Sequence, residues 1–165
     1  MDAQLLVSII INNYNYDYFL REAIDSALNQ TYSNIEVLVV DDGSTDNSRE
    51  IIASYENRII PILKENGGQA SCLNEGFMIC KGEIILFLDS DDSFCRDKVE
   101  KIVDLFAQVI PHDPYVILHN MHEIVDKQNL PTGISDISGY YQEWDCLSKI
   151  RDVKGIERQH LFFNV

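Results

Sequence analysis

The chain has 165 residues, of which 45% are hydrophobic, and this is enough to bury one compact core. We therefore expect a single domain over residues 1–165. The formal net charge of −14 argues against a nucleic-acid partner, because binding to phosphate backbones depends on clustered Lys and Arg. An anionic substrate would need a cation to mediate its binding.

The cysteines and the hydropathy pattern predict the cellular compartment of the protein. Its four cysteines form no Cys-x-x-Cys pair, which favours a reduced protein without disulfides. No apolar run reaches the roughly 18 to 20 residues of a membrane span, and the first residues lack a basic secretory leader. We expect a cytoplasmic protein. Contact with the inner face of the membrane would have to come from regions outside this chain.

Four short runs rich in β-branched residues predict strands. They are continuous rather than alternating, the pattern of strands buried on both faces of a parallel sheet. Apolar residues at helical spacing follow each run. This order predicts an α/β fold with a mostly parallel sheet and helices on both faces. The strands are Leu5–Ile11, Ile35–Val40, Ile59–Leu63 and Ile84–Leu88, and the helical patterns lie within Leu20–Leu28, Ile51–Tyr55, Ala70–Phe77 and Val99–Ile110.

The pattern weakens after Ile110. Tyr115–Leu118 and Ile124-Val125 predict short strands, whereas Asn129–Gly139 is rich in turn residues and predicts a loop. The regular core is therefore expected at about residues 4–110.

A polar cluster follows each of the predicted strands. Because the carboxyl ends of parallel strands meet at one edge of a sheet, where ligands bind, we expect the clusters to converge there. They are Asn12–Asn15, Asp41–Ser44, Glu65–Gln69 and Asp89–Asp92.

The strongest chemical signal is the sequence Asp89-Ser90-Asp91-Asp92 directly after a strand. Its three carboxylates repel one another unless a cation lies among them, and Mg²⁺ or Mn²⁺ suits such a site. Asp91 is the favoured ligand. Asp92 is nearest the following helix and could equally cap it. A calcium-binding EF-hand is rejected, because Phe94 occupies the position where that loop needs glycine.

Two other clusters offer groups that could hold a nucleoside. Asp42 could accept a hydrogen bond from an imide N–H such as that of uracil, or it could belong to a capped turn together with Asp46. Tyr14 could stack on a base while the amides of Asn12 and Asn15 bond its edge, or it could be a structural aromatic.

Gly67-Gly68 and Gln69 precede a predicted helix, where backbone N–H groups could approach a phosphate or sugar. The spacing matches neither Gly-x-Gly-x-x-Gly nor a Gly-Lys-Ser/Thr phosphate loop. His119 and His122 would point to opposite faces of a strand, which disfavours a zinc pair.

The motifs, taken together, resemble the opening of family 2 glycosyltransferases in order and spacing. The resemblance covers about the first 100 residues. It is carried by Val7–Ile11 with Tyr14-Asn15, Ser26–Tyr32, Glu36–Asp46, Asn66–Ser71, Asn74 with Gly76, Lys81–Glu83 and Leu88–Asp92.

This resemblance implies a GT-A fold, the Rossmann-like fold of transferases that use nucleotide-diphospho-sugars. It implies that Asn12, Tyr14 and Asp42 hold the nucleoside, usually uridine. It also implies that Asp89 and Asp91 form the DxD motif, in which Asp89 lies near the ribose and the metal and Asp91 ligates Mn²⁺ or Mg²⁺. The implied reaction is inverting transfer from a nucleoside-diphosphate sugar to a saccharide or lipid-linked acceptor, as in polysaccharide biosynthesis.

The chain departs from the family pattern in a few places. Asn12-Asn13 stands where Pro-Thr is frequent, and Arg96 replaces a common proline. The resemblance places the general base downstream of residue 165, so residues 111–165 are expected to begin an incomplete acceptor-side region. We assign no base. The carboxylates that remain as candidates are Glu123, Asp126, Glu143 and Asp145.

Two other functions remain open from the sequence. A non-catalytic nucleotide-sugar-binding module would share every motif but lack a base. A receiver-like phosphoryl-transfer protein with an acidic Mg²⁺ site would need an aspartate after the first strand, where this chain has Asn12–Asn15.

Overall fold

The computed structural model describes residues 5–109, 122–125 and 131–135. Helices and strands alternate along the first of these ranges, and a short hairpin follows. The elements are β1 (Val7–Asn13), α1 (Asp17–Leu28), β2 (Ile35–Asp42), α2 (Ser48–Ala53), a 3₁₀ turn (Glu56–Arg58), β3 (Ile60–Lys64), α3 (Gln69–Ile79), β4 (Ile84–Asp89), α4 (Lys98–Val109), β5 (His122–Val125) and β6 (Pro131–Ser135).

Strands β1 to β4 form a parallel sheet in the order β3-β2-β1-β4. The central strands β1 and β2 are buried along most of their length. The prediction of burial on both faces is wrong for β3, in which partly buried and exposed positions alternate, and for β4, where Phe87 is 45% exposed. Both are edge strands of the described sheet, so fewer neighbouring elements cover them.

Helices cover both faces of this sheet, as the sequence predicts. Side chains of a strand alternate between the faces, so Ile9 and Ile11 pack with α1, α2 and α4 while Ile10 packs with α3. Helix α1 buries residues at helical spacing on its inner face: Leu20, Ala23, Ile24 and Ala27.

Helix α3 approaches the sheet closely at Gly76. A Cβ atom at this position would lie 2.5 Å from Ile10 Cγ2 and 3.3 Å from Val40 Cγ2, so a side chain would displace the helix. This packing holds α3 against β1 and β2. Its first residue, Gln69, thereby lies at the carboxyl edge of the sheet, within hydrogen-bond distance of Asp89.

The strands extend further into the polar clusters than the sequence predicts. The sheet register pairs Asn13 with Asp41 and Asp42 with Lys64, so polar residues continue the ladder that the apolar runs begin. Each strand ends later than predicted, because backbone pairing does not depend on side-chain polarity.

The hairpin of β5 and β6 is antiparallel. The strand predicted at Ile124-Val125 is confirmed within β5. The loop predicted at Asn129–Gly139 is wrong over Pro131–Ser135, which pairs with β5 despite its turn-forming residues. The strand predicted at Tyr115–Leu118 lies outside the described residues, and so does His119.

No helix among the described residues is long and apolar enough to cross a membrane. Cys72, Cys80 and Cys95 form no disulfide bond, and Cys146 lies outside the described part of the chain.

Candidate functional site

The polar clusters converge at the carboxyl edge of the parallel sheet, as predicted from their positions after the strands. Asn12 of β1 is in register with Val40 on one side and with Asp89 on the other. Asp42 of β2 is in register with Lys64 of β3. The register therefore brings residues from all of these strands to one edge.

Asp42 is a buried carboxylate whose oxygens already accept hydrogen bonds. Lys64 Nζ and the N–H of Gly67 donate to Oδ1 over 2.5 and 2.8 Å, and the N–H of Gly68 donates to Oδ2 over 2.7 Å. The side chain is only 3% exposed. Burial by itself raises the pKa of Asp42, but these donors outweigh it and hold the pKa below its usual value. Asp42 is therefore ionised at neutral pH.

Lys64 is a site residue that the sequence analysis missed. It ends β3, one residue beyond the predicted strand, and its ammonium also donates to the carbonyl of Glu65 over 2.6 Å. The hydrogen bond to Asp42 raises the pKa of Lys64. A basic residue at the end of a strand, next to a strand that ends in aspartates, was the available signal.

A second buried carboxylate, Asp41, organises the turn after β2. Asn13 Nδ2 donates to Asp41 Oδ1 over 3.0 Å and Arg49 Nε donates to Oδ2 over 2.8 Å. Burial raises the pKa of Asp41, yet the hydrogen bonds from Ser44, Arg49 and Asn13 bring it below its usual value. Arg49 also donates to the carbonyl of Lys64 over 3.1 Å, which joins this network to the end of β3.

Tyr14 and Asn15 have different surroundings. Tyr14 is 47% exposed, so it is not a buried structural aromatic. Asn15 has a φ of 56°, and its backbone N–H donates to Ser44 Oγ over 2.9 Å. Its Oδ1 accepts the N–H of Thr45 over 2.8 Å. Asn15 therefore holds the neighbouring turn in place.

Asp46 is a helix-terminus residue, as the turn interpretation predicted for it. Its Oδ2 accepts the N–H of Asp17, the first residue of α1, over 2.9 Å. Its Oδ1 accepts the N–H of Ser48, the first residue of α2, over 3.0 Å. Asp46 thus ties two helix N-termini together.

The carboxylates after β4 differ from those after β2 because they are exposed. Asp89 Oδ1 accepts a hydrogen bond from Gln69 Nε2 over 2.9 Å, and Asp91 faces solvent. Asn12 Oδ1 is buried and without a hydrogen-bond partner, and Asn12 is paired in register with Asp89. The edge therefore offers oxygen ligands with free lone pairs.

Asp92 does not cap the helix that follows it. Its N–H donates to the carbonyl of Asp89 over 3.1 Å, which closes a tight turn, and α4 begins only at Lys98. The capping interpretation of Asp92 is wrong, because an irregular segment separates it from the helix.

The residues present fit Mg²⁺ or Mn²⁺. Such ions take one or two protein carboxylates and complete their shell with water and substrate phosphate oxygens. Asp89 and Asp91 supply this ligand type at an exposed edge. Within residues 5–109, 122–125 and 131–135 no group of three or more His, Cys, Asp or Glu converges on one point.

Gly68 immediately precedes α3 and has a φ of 85°, a backbone conformation that L side chains rarely adopt. A Cβ atom at this position would meet no atom within 4 Å. Among the candidate bases, Glu123 lies in β5, opposite Ile134 of β6. Asp126, Glu143 and Asp145 lie outside the described residues.

Residues 8–144 of the chain match the family model for Glycosyl transferase family 2. An uncharacterised glycosyltransferase of Nostoc sp. is 42% identical over 124 residues, which are 73% of this chain and 37% of that protein. Glycosyltransferase GlyG of Streptococcus pneumoniae is 40% identical over 121 residues, 71% of this chain and 39% of GlyG. The chain thus spans well under half the length of these relatives.

The solved structures that resemble this chain are also glycosyltransferases. A fragment of S. aureus TarS in complex with UDP-GlcNAc superposes with a TM-score of 0.58 at 28% identity, over 63% of this chain and 32% of that one. The mannosyltransferase PcManGT from Pyrobaculum calidifontis, in complex with GDP-Man and Mn²⁺, gives 0.57 at 28% identity, over 64% and 33%. The fold is that of the GT-A nucleotide-sugar transferases.

Proposed function

Since this chain belongs to glycosyl transferase family 2, we propose that it transfers a sugar from a uridine-diphosphate donor to a saccharide or lipid-linked acceptor, with inversion at the anomeric carbon. One observation carries the proposal. The exposed carboxylates Asp89 and Asp91 lie on the same sheet edge as the buried, ionised Asp42, and Asn12 stands between their strands.

In this proposal the nucleoside occupies the ends of β1 and β2. The half-exposed ring of Tyr14 stacks on the base, and Asn12 bonds the base or ribose. Asp42 accepts the imide N–H of uracil on Oδ2, the oxygen that has only one donor. Because the Asp42 side chain is 3% exposed, the Gly68 amide must move aside when the base enters.

The diphosphate lies between Asp91 and the turn before α3. A divalent metal bound there supplies positive charge that stabilises the leaving diphosphate. Asp89 and Asp91 hold it by their exposed oxygens, while Gln69 orients Asp89 through its hydrogen bond. The N–H groups of Gly67 and Gly68 already donate to Asp42, so the Gly68 N–H could reach a phosphate oxygen only after its own bond to Asp42 opens.

Transfer also needs a carboxylate that accepts the proton of the acceptor hydroxyl. Glu123 is the candidate within the described residues, and it lies on the hairpin rather than on the parallel sheet. We leave this role unassigned. The ligands of TarS (UDP-GlcNAc) and PcManGT (GDP-Man with Mn²⁺) support a nucleotide-sugar donor and a metal for this chain as well.

Calorimetric titration of the chain with uridine diphosphate and Mn²⁺ tests the proposal. Asp42→Ala should weaken this binding by about tenfold or more, because a hydrogen bond to a charged group contributes roughly 1.5–3 kcal/mol and about 1.4 kcal/mol is a factor of ten in affinity. Cytidine diphosphate, which lacks the imide donor, should lose less. The exposed Asp104→Ala on α4 is the matched control, with unchanged affinity expected. Equal losses for both nucleotides would remove the base-reading role of Asp42.

A further inference from the structure

We propose that Lys64 sets the nucleobase specificity of the donor site. Lys64 Nζ and the N–H of Gly67 both donate hydrogen bonds to Oδ1 of Asp42. A bound base can therefore donate only to the other carboxylate oxygen, Oδ2. The inference rests on the proposed function and narrows it, because it states which nucleoside diphosphate the site accepts and which residue is responsible.

The argument begins with the capacity of a carboxylate. Its two oxygens have about four lone-pair positions, two on each oxygen. Lys64 Nζ at 2.5 Å and Gly67 N at 2.8 Å use both positions of Oδ1. Gly68 N at 2.7 Å uses one position of Oδ2. Oδ2 thus accepts one of these hydrogen bonds fewer than Oδ1, and the buried thiol of Cys72 also interacts with this carboxylate.

The donor atoms around Oδ1 are fixed more firmly than the donor on Oδ2. Lys64 is anchored by a hydrogen bond to the carbonyl of Glu65 over 2.6 Å, and Arg49 holds the Lys64 carbonyl over 3.1 Å. A Cβ on Gly67 would lie 2.9 Å from Lys64 Nζ, so this side of the turn is tightly packed. Gly68 instead borders open space. An entering base therefore displaces the Gly68 amide and leaves Lys64 in place.

This arrangement discriminates between bases by the number of donors they present. Uracil presents a single imide N–H, and one oxygen is enough to accept it. Guanine presents a ring N–H and an adjacent amino N–H, which pair with a carboxylate through both of its oxygens. Since Lys64 and Gly67 occupy Oδ1, one guanine donor would be left unpaired on binding, which disfavours guanine. The ammonium also offsets repulsion between the carboxylate and the two carbonyl oxygens beside the imide.

The test compares uridine and guanosine diphosphates in calorimetric titrations with Mn²⁺. The unmodified chain should prefer uridine diphosphate. Lys64→Met frees a position on Oδ1 and removes the cation, so the ratio of the two affinities should fall by about tenfold, the value of one hydrogen bond to a charged group. Lys64→Arg keeps a cationic donor and should restore most of the preference. Thermal unfolding of each variant establishes that it is folded.

A purely structural role for Lys64 would lower both affinities together and leave their ratio unchanged, and that result would overturn the inference. Equal affinities in the unmodified chain would overturn it too, even if Lys64→Met failed to fold. The proposed function fails separately: it falls if the unmodified chain binds no nucleoside diphosphate in the presence of Mn²⁺.

Discussion

The aspartates of the sheet edge are chemically alike in sequence but differ in exposure. Asp41 and Asp42 are buried, and donors from neighbouring elements keep them ionised. Asp89 and Asp91 are exposed. A buried carboxylate that is already paired has little capacity left for a cation, whereas exposed carboxylates close together in the chain repel each other and favour one. This difference in exposure supports the proposal that one strand end reads the base and another binds the metal.

Asp91→Asn should abolish the Mn²⁺-dependent part of uridine diphosphate binding. The substitution keeps the size of the side chain but removes the charge that attracts the metal, and Asp91 is exposed, so the fold should be unaffected. Calorimetry with and without Mn²⁺ measures the effect. We expect the affinity with Mn²⁺ to fall to the level measured without it.

Asp104→Asn on α4 removes the same charge from an exposed position away from the sheet edge and should retain the full Mn²⁺ effect. An unchanged Mn²⁺-dependent affinity in Asp91→Asn would exclude Asp91 as a ligand.

The packing of α3 on the sheet and the pairing of β3 with β2 position the residues around Asp42. Helix α3 lies against β1 and β2 without an intervening side chain at Gly76, and its N-terminus follows the turn that donates to Asp42. The pairing of β3 with β2 places Lys64 beside Asp42. A shift of α3 would therefore move the Gly67-Gly68 turn and Gln69 together.

Gly76→Ala should destabilise the protein even though alanine favours helix. The added methyl group would lie 2.5 Å from Ile10 Cγ2 in a buried interface, and such overpacking costs about 1–3 kcal/mol. Helix propensity returns up to about 1 kcal/mol, so the net loss should be smaller than for overpacking alone. Urea unfolding measures it.

Asn74→Ala, at an exposed position of the same helix, gains helix propensity without a clash and should be neutral or stabilising. If Gly76→Ala were as stable as Asn74→Ala, the close approach of α3 to the sheet would be wrong.

The whole molecule carries a formal net charge of −14, so an anionic substrate can bind only where cations offset this charge. At the sheet edge, Lys64 and Arg49 partner the buried aspartates. In the proposed function, the exposed carboxylates after β4 bind a divalent ion, through which an anionic diphosphate can approach an acidic protein.

Stability should depend on pH through the buried aspartates. The folded pKa of Asp41 lies below its unfolded value of about 3.9. Its contribution is therefore present above that value and is lost as the pH falls through the lower folded pKa. Asp41→Asn should reduce the free energy of unfolding at neutral pH by about 1–3 kcal/mol, and the difference from the unmodified chain should shrink below about pH 4.

Urea unfolding at a series of pH values measures this difference. Asp104→Asn, whose carboxyl group is exposed, should differ little from the unmodified chain at every pH. A difference for Asp41→Asn that is constant between neutral pH and about pH 3 would show that the charge of Asp41 contributes nothing, since only an ionised group loses its effect on protonation.

The sequence by itself determined the fold class, the family and the strand ends on which the polar clusters lie. Apolar runs and helical spacing depend on local side-chain pattern, and turn residues such as those of Asp41–Ser44 have local consequences, so they can be predicted without tertiary contacts. The single domain, the cytoplasmic location and the site roles of Asn12, Tyr14 and Asp91 remain predictions.

Only the tertiary structure decided which polar residues pair with one another. The bonds of Lys64 to Asp42 and of Arg49 to Asp41 join residues that are 22 and 8 positions apart in the chain. Sheet register creates the first, and the turn from β2 into α2 creates the second. Likewise, burial separates Asp42 from Asp91, because exposure depends on which elements pack around a strand end. Hydrophobic periodicity contains no information about these long-range pairings, and they determine how each carboxylate can be used.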